Sequence, residues 1–486
     1  MIEKIRPKPV LIEHEVSNLG KLNINLHGVA AEFYNQTDSD GLIDYLKRLD
    51  HLGFISKSHP GNHHKRWDYV CLQLFLIQKL KHSFFNSGLN STSIIGGHEI
   101  SNQELLQFFI LLANIGHLEG TISGEKALFD YLKEHKALKS EFLININKHE
   151  DLKKICEHVL NTNDYYKFKY LISLNYVLSK PANSKSMEAL KALMKSYLFG
   201  DERVEKLRSI YFRVRRICFV YLDSHHCHTP LQLNISKILI NIFNYDELFN
   251  PVEHDYDKIL DVSETVLTKQ VYISPISSLT YKRNYDTFYS YLAKYINGGT
   301  KINYSNFLMS FLKGRREKYE LQFADSKKVW TLQFYLAKDS LRILDVPVNQ
   351  DFENFIAHLF EQEKRLQLML TSRVNKNCAS IVIQYDMRRT LLFFTFIINR
   401  EITDNQFRFL IKNFSNVVHE IISSFKITST NLPDPFKSEL LKSFRNDIIR
   451  RHFLYLLKIL FEKKNRLNLY LKFQYKQVQD KVNKGK

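Results

Sequence analysis

Residues 111–120 read LLANIGHLEG, and they end an apolar run that starts with SNQELLQFF at Ser101. Ser101 followed three residues later by Glu104 is the pattern of a capping box, which predicts that a helix begins here. The residues that follow are almost all apolar, so this helix is expected to be buried. The quoted stretch is therefore predicted to be the end of a buried helix, and it carries three polar side chains, Asn114, His117 and Glu119.

Helical patterns cover most of the first half of the chain. From Trp67 onward apolar residues recur at intervals of three and four, and similar segments continue to about residue 222. Before residue 60 the sequence predicts short strand-like or loop segments and one helix near residues 41–52. The first half is thus predicted to be almost wholly α-helical.

The pattern changes type by Lys328. The segments VWTLQFYLA and LRILDVPV are rich in β-branched and aromatic residues, and a helical segment follows them. The segments ASIVIQYD and LLFFTFIIN and a second helical segment repeat that order. Two hairpin-plus-helix units in tandem predict one antiparallel sheet with helices on one face, which is an α+β domain.

These patterns divide the chain into five parts. We predict an N-terminal segment, a helical domain, a helical connector, the α+β domain and a basic helical tail, bounded at residues 1–60, 61–262, 263–327, 328–430 and 431–486. The fold class expected is mainly α, with the α+β domain and a basic helical C-terminus after the helical core.

The bulk composition is that of a folded protein. The 486 residues are 44% hydrophobic and 25% charged, which suits two or three domains with their own cores. No apolar run has the length of a signal-peptide core or of a membrane span, so a cytoplasmic protein is expected. The five cysteines include no CxxC pair, which argues against a disulfide framework and against a cysteine zinc site.

The chain is strongly basic. Its 69 Lys and Arg residues exceed its 51 Asp and Glu residues by 18, and residues 434–486 hold 14 basic against 5 acidic residues, a difference of +9. Such a charge favours a polyanionic partner, either nucleic acid or a nucleotide. The cations predicted to contact phosphates are Arg315, Arg316, Arg445, Arg450, Arg451, Lys463, Lys464 and Arg466. The same residues would suit a solvated helix face, an oligomer interface or a protein partner.

Three segments of the first half carry a resemblance to a known family. RWDY, with Arg66 and Tyr69, is similar to an Arg-x-x-His segment, and LLANIGH is similar to Leu-Leu-His-Asp-Ile-Gly-His. YLDSHHCHTP, which begins at Tyr221, is similar to a Tyr-Leu-x-x-Asp-x-x-Tyr-Thr-Gly segment. The three segments to which they are similar are those of the HD phosphohydrolase superfamily. They occur in members that resemble deoxynucleoside triphosphate triphosphohydrolases (dNTPases). The resemblance covers about residues 60–235 and implies an HD-like helical core.

The resemblance also implies that the family's metal site is degenerate. The metal-binding His, His-Asp pair and Asp of the family fall at Tyr69, Ala113, Asn114 and Ile217 of this chain. Divalent metals need nitrogen or oxygen lone pairs, and they must acidify a bound water before it attacks phosphorus. None of these four side chains is a good ligand. We therefore expect a catalytically inactive protein without a cofactor, which acts as a nucleic-acid-binding or nucleotide-binding, regulatory or scaffolding subunit.

A rearranged metal site is the alternative. The nearby side chains that could hold a divalent metal, since a His with two carboxylates can ligate such an ion, are His117, Glu119, Asp68, His63 and His64. The protein would then be a metal-dependent phosphohydrolase that acts on nucleotides. His225 and His228 are three residues apart in the cluster SHHCH and could also be metal or pocket residues.

Other interpretations are weaker or less specific. The segment GNHHKR, residues 61–66, is typical of an exposed loop whose histidines face water. No phosphate-binding loop, dinucleotide fingerprint or nucleophile elbow is present in the sequence. A structural subunit of a larger protein complex is the third interpretation left open.

Overall fold

A computed structural model describes most of the first 300 residues and four later strands. The described residues are 9–57, 59, 61–83, 92–161, 165–180, 183–199, 205–229, 233–234, 255–297, 329–337, 379–386, 391–399 and 471–473. Over these residues the fold is mainly α, as predicted. The chain divides into two compact units, residues 1–272 with 283–322, and residues 273–282 with 323–486.

The first unit opens with a β-hairpin formed by β1 (Val10–Val16) and β2 (Gly20–Leu26). The strands are antiparallel, with Val10 opposite Leu26 and Val16 opposite Gly20. Along β2 every second residue is buried, because one face of the hairpin packs on a helix while the other faces solvent. The hairpin therefore covers one side of the helical core.

Helices make up nearly all the rest of this unit. In chain order they are α1 Gly28–Ser39, α2 Leu42–Arg48, α3 Arg66–Ser83, α4 Asn102–Ile115, α5 Ile122–Glu134, α6 Lys136–Phe142, α7 Glu150–Asn161, α8 Phe168–Leu178, α9 Ser184–Phe199, α10 Glu205–His226 and α11 Asp255–Leu267. A further helix, α12 (Pro275–Asn297), follows a π-helical turn at Thr268–Tyr272; residues 283–297 of this helix belong to the first unit and residues 275–282 to the second. A small hairpin of β3 (Thr92–Ile95) and β4 (His98–Ser101) precedes α4. Among the described residues, no helix is long and apolar enough to cross a membrane.

Helix α4 lies at the centre of this unit. Every residue of α4 from Gln103 to Ile115 is buried, in agreement with the apolar run in the sequence. The predicted N-terminus is confirmed, because the Ser101 side chain accepts a hydrogen bond from the Glu104 backbone N–H at 3.2 Å. The Glu104 carboxylate does not complete the capping box, since it accepts instead from the Val29 N–H at the start of α1. One acidic side chain thus ties two helix N-termini together.

The second unit contains a four-stranded sheet. Its strands are β5 (Val329–Ala337), β6 (Ala379–Asp386), β7 (Leu391–Asn399) and β8 (Leu471–Phe473), in the order β6-β7-β5-β8. β7 is antiparallel to both β5 and β6, whereas β8 is parallel to β5. The strands β5, β6 and β7 begin and end where the sequence predicts them. The predicted strand 341–348 and the two predicted helices lie outside the described residues.

Polar side chains near the start of α12 contact this sheet within the second unit. The Ser278 hydroxyl donates a hydrogen bond to Gln384 Oε1 on β6 at 2.6 Å. It also accepts one from the Thr395 hydroxyl on β7 at 3.2 Å. All three side chains are buried, so these bonds satisfy polar groups that would otherwise be costly to bury.

A candidate buried anion and metal site

The four positions predicted to replace HD metal ligands lie on three helices that pack against one another, α3, α4 and α10. The side chains of Tyr69, Ala113, Asn114 and Ile217 are all buried. The Tyr69 hydroxyl lies 3.5 Å from the Arg215 carbonyl, and the Asn114 amide donates to the Ile110 carbonyl one turn earlier in its own helix. Ala113 and Ile217 offer only hydrocarbon. These side chains therefore serve packing and local hydrogen bonding.

His117 belongs to a separate buried network. Its Nδ1 lies 2.6 Å from Glu125 Oε1, its Nε2 lies 3.3 Å from Lys169 Nζ, and its carbonyl accepts from the Tyr45 hydroxyl at 3.0 Å. An ammonium group can only donate, so Nε2 accepts from Lys169 and Nδ1 carries the proton that is donated to Glu125. Burial lowers the pKa of His117, and the positive charge of Arg66 adds to that effect. His117 is thus a neutral, fully bonded imidazole.

The other side chains predicted for a rearranged metal site do not join His117. Asp68 lies at the start of α3, where it bonds His14 Nε2 at 2.7 Å and accepts from the Lys65 N–H at 2.7 Å. Glu119 is half-buried and helps to raise the pKa of Tyr45. Each of these three predicted ligands has its own neighbours, so the structure does not bring them together on one ion.

The histidines of the SHHCH cluster are also separate from one another. The His225 ring meets the Tyr221 ring edge-on at 4.8 Å, one turn earlier in α10. His228 lies beyond the end of α10 with a φ of 50°, and a Cβ on Gly61 would lie 3.0 Å from its Nε2. Between them, His226 stacks on His64 with 4.5 Å between ring centroids.

Another group of residues converges in the core. Across the described residues, the group of three or more side chains able to hold a metal is His51, His64 and Asp223, with one ligand atom of each within 4.8 Å of the others. His64 Nε2 lies 2.7 Å and His51 Nε2 lies 3.7 Å from Asp223 Oδ1. The Tyr272 hydroxyl donates to the second carboxylate oxygen, Oδ2. All three candidate ligands are buried.

Local structure explains how these three side chains meet. His51 follows the C-terminus of α2, and its N–H donates to the His64 carbonyl at 3.0 Å. Asp50 and Lys65 form an isolated β-bridge next to that bond, which holds the two loop segments side by side. Asp223 lies in the last turn of α10, so that helix brings the carboxylate to the paired loops.

Arg66 borders this group at the first position of α3. Its side chain is 7% exposed, and its Nη2 donates a hydrogen bond to the His51 carbonyl. Its Nε has no hydrogen-bond partner, and it forms no ion pair with any described carboxylate. Burial lowers the pKa of Arg66, while Tyr69, Glu125 and Asp223 partly oppose that effect. A guanidinium remains charged in proteins, so a positive charge is held in the core without a direct counter-ion.

Sequence reasoning missed His51 and Asp223 and set His64 aside, for identifiable reasons. The interpretation of GNHHKR as a loop whose histidines face water is correct for His63, which is exposed, and wrong for His64, which is 3% exposed. Asp223 lies 159 residues from His64 in sequence, so no spacing rule connects them. The signal available was the combination of His64, Arg66 and Asp223 close to two of the family-like segments.

The predicted nucleic-acid contacts cannot be placed. Arg315, Arg316, Arg445, Arg450, Arg451, Lys463, Lys464 and Arg466 all lie outside the described residues.

Comparison with known proteins adds little to this picture. No family model and no curated protein matches the chain. Among solved structures it is similar to one described as a hypothetical protein from Aquifex aeolicus, at 14% sequence identity and a TM-score of 0.41. That match covers 82% of this chain and 100% of the other. At this TM-score the likeness supports no conclusion about family or function.

Proposed function

We propose that the protein binds a nucleotide through its phosphates without hydrolysing it, as a catalytically inactive HD-like protein with a regulatory or scaffolding role. The observation that carries this proposal is the buried guanidinium of Arg66, which has no carboxylate partner among the described residues. An unpaired buried charge has an effective penalty of several kcal/mol. A bound anion would remove that penalty.

The surroundings of Arg66 favour phosphate as the anion. Arginine binds phosphate oxygens with two parallel hydrogen bonds, and its Nε is unpartnered here. Lys169 and Arg215 are near enough to lower the pKa of both His51 and His117, so the local field is positive. Burial raises the pKa of the nearest acid on α5, Glu125, to about 7, which weakens its negative charge near neutral pH. A triphosphate would meet a net positive surrounding.

The absence of hydrolysis is proposed from the side chains at the HD-like positions. The phenol, methyl, amide and sec-butyl groups of Tyr69, Ala113, Asn114 and Ile217 cannot hold the metal that would activate water in the related enzymes. The Asn114 amide is already bonded to the Ile110 carbonyl. A site that has cations for the phosphates but no ligands for a catalytic metal would bind a nucleotide without hydrolysing it.

Substitution of Arg66 by glutamine tests the proposal. We expect the affinity of the full chain for dATP, measured by isothermal titration calorimetry, to fall roughly tenfold or more, because a charge-assisted hydrogen bond contributes about 1.5–3 kcal/mol. Deoxyadenosine, which lacks phosphates, should bind weakly to both proteins. Lys169→Gln is a milder companion variant, since Lys169 is only half-buried.

A matched control is Arg48→Gln. This substitution also removes one positive charge, but Arg48 is exposed on α2. Its affinity for dATP should stay within about twofold of the wild type, a change of about 0.4 kcal/mol. The proposal is wrong if Arg66→Gln, shown to be folded by circular dichroism, binds dATP as tightly as the control. It is equally wrong if the wild type releases product from dATP in the presence of Mn²⁺ or Zn²⁺.

A nucleic-acid partner is the second candidate, favoured by the net charge of +9 in residues 434–486. If this segment binds phosphates, an electrophoretic shift with DNA or RNA should weaken steeply with salt, by a slope of about 0.9 in log K per phosphate contact. The double variant Lys463→Gln with Lys464→Gln should reduce that slope by about 2. Removal of two exposed lysines elsewhere, Lys136→Gln with Lys148→Gln, should leave it unchanged. No shift at low salt would discard the candidate.

A further inference from the structure

We propose that His51, His64 and Asp223 form a binding site for one divalent transition-metal ion such as zinc, at residues other than the HD-like positions. The ligand set is two imidazoles and one carboxylate, which suits zinc, iron, cobalt or nickel better than the hard ions magnesium or calcium. The inference does not depend on nucleotide binding.

The hydrogen bonding of His51 is the first argument. Its side chain is 5% exposed, and its Nδ1 has no hydrogen-bond partner. Its Nε2 approaches Asp223 Oδ1 at 3.7 Å, which is too long for a hydrogen bond. A metal ion on Nε2 would give that nitrogen the close partner that Asp223 at 3.7 Å does not provide, whereas Nδ1 would stay without a hydrogen bond.

The distances between ligand atoms are the second argument. Zinc holds nitrogen and oxygen ligands at about 2.0–2.2 Å in a tetrahedron, so ligand atoms lie about 3.4 Å apart. The separation of His51 Nε2 from Asp223 Oδ1 is 3.7 Å and that of His64 Nε2 from the same oxygen is 2.7 Å. The first distance would have to shorten and the second to lengthen, each by less than about 1 Å, to reach the separation of about 3.4 Å. The metal would replace the His64–Asp223 hydrogen bond.

The second carboxylate oxygen is the third argument. Asp223 Oδ2 accepts from the Tyr272 hydroxyl, which fixes the carboxylate and leaves Oδ1 directed at the two histidines. Such an outer partner is a regular feature of metal-binding carboxylates. Three protein ligands leave a fourth tetrahedral position, which water or a ligand oxygen could fill. Because the Arg66 Nη2 binds the His51 carbonyl, the ion and the proposed anion site would be neighbours.

The test uses the full chain without nucleotide. After removal of metal by a chelator, we expect one equivalent of Zn²⁺ to bind in isothermal titration calorimetry. In a separate titration, bound Co²⁺ should show a visible absorption band typical of an ion coordinated by nitrogen and oxygen atoms. Variants His64→Gln and Asp223→Asn should each lose about 100-fold in Zn²⁺ affinity and lose the cobalt band. Both variants are checked for folding by circular dichroism.

His63→Gln is the matched control, since His63 is the exposed neighbour of His64. It should keep one equivalent of Zn²⁺ with affinity within about twofold, a difference of about 0.4 kcal/mol. The inference is overturned if the wild type binds no equivalent of Zn²⁺. It is also overturned if folded His64→Gln or Asp223→Asn binds as tightly as the control, because the ion would then lie on surface histidines.

Discussion

Gly116→Ala is expected to destabilise the first unit by about 3 kcal/mol or more, because overpacking against backbone is costly to relieve. A Cβ at residue 116 would lie 2.0 Å from the Lys169 carbonyl oxygen and 2.4 Å from the Ser173 hydroxyl. The carbonyl belongs to α8, so relief of the clash requires that whole helix to move away from α4. The φ of Gly116 is −82°, which alanine adopts freely, so the loss arises from the contact alone.

Urea unfolding followed by circular dichroism measures this effect, with Gly97→Ala as the control. Gly97 has a φ of +78°, and a Cβ there would meet nothing within 4 Å. Its substitution should cost only the backbone strain of about 1–2 kcal/mol. The packing explanation fails if Gly116→Ala is no more destabilising than Gly97→Ala.

The same contact positions part of the candidate site. Ser173 donates a hydrogen bond to the Leu112 carbonyl at 2.7 Å, so α8 is fixed to α4 one helical turn before Gly116. The residue after Gly116 is His117, and its Nε2 lies 3.3 Å from the Nζ of Lys169 on α8. A bulkier residue at 116 would therefore displace Lys169 from the proposed anion site. This gives the Ile-Gly-His part of the family-like segment a packing role that does not need catalysis.

Local patterns predicted only part of the local structure. Helix α1 (Gly28–Ser39) forms where strand-like or loop segments were predicted, and strand β8 (Leu471–Phe473) lies in the tail predicted to be helical. The strands β5, β6 and β7 were bounded correctly because β-branched and aromatic residues are concentrated between polar breaks. The start of α4 at Ser101 was also correct, since an N-cap is a contact between neighbours in sequence. The partner of the Glu104 carboxylate was not predictable, because Val29 reaches it from 75 residues away.

The candidate site was much less accessible from sequence. The prediction for Tyr69, Ala113, Asn114 and Ile217 concerns only the loss of metal ligands, so it names no residue of the His51, His64 and Asp223 group. His51 and His64 come from loops whose polar composition predicts exposure, and tertiary packing overrides that expectation for both. Asp223 lies within YLDSHH, next to histidines that are themselves common metal ligands, so the sequence does not single out the carboxylate. His64 and Asp223 are 159 residues apart in the sequence, and only the packing of the helices brings them together.

Glu125→Gln should change the dependence of stability on pH. Burial raises the pKa of Glu125 from 4.5 to about 7, whereas Lys169 and Arg66 oppose that shift. The folded protein then holds a proton that the unfolded chain has already released between those pH values. Folding stability from this group is fully present below pH 4.5 and declines as pH rises to about 7, by on the order of 3 kcal/mol.

Glutamine cannot ionise, so the variant should lack this decline. Its amide oxygen can still accept the proton of His117 Nδ1, which keeps the bond measured at 2.6 Å in the wild type. The stability of wild type minus variant, from urea unfolding at a series of pH values, should therefore fall from pH 4.5 to pH 7 and then level off. The opposite dependence from His117, whose pKa burial lowers, is present in both proteins and largely cancels.

Glu15→Gln provides the control, because Glu15 is exposed on β1. Its difference from the wild type should vary much less over the same pH range, since a surface substitution away from buried groups changes stability little. A flat difference for Glu125→Gln would mean that Lys169 and Arg66 already compensate the buried carboxylate. Their charges would then be satisfied within the protein, and the argument for a bound phosphate at Arg66 would lose its electrostatic basis.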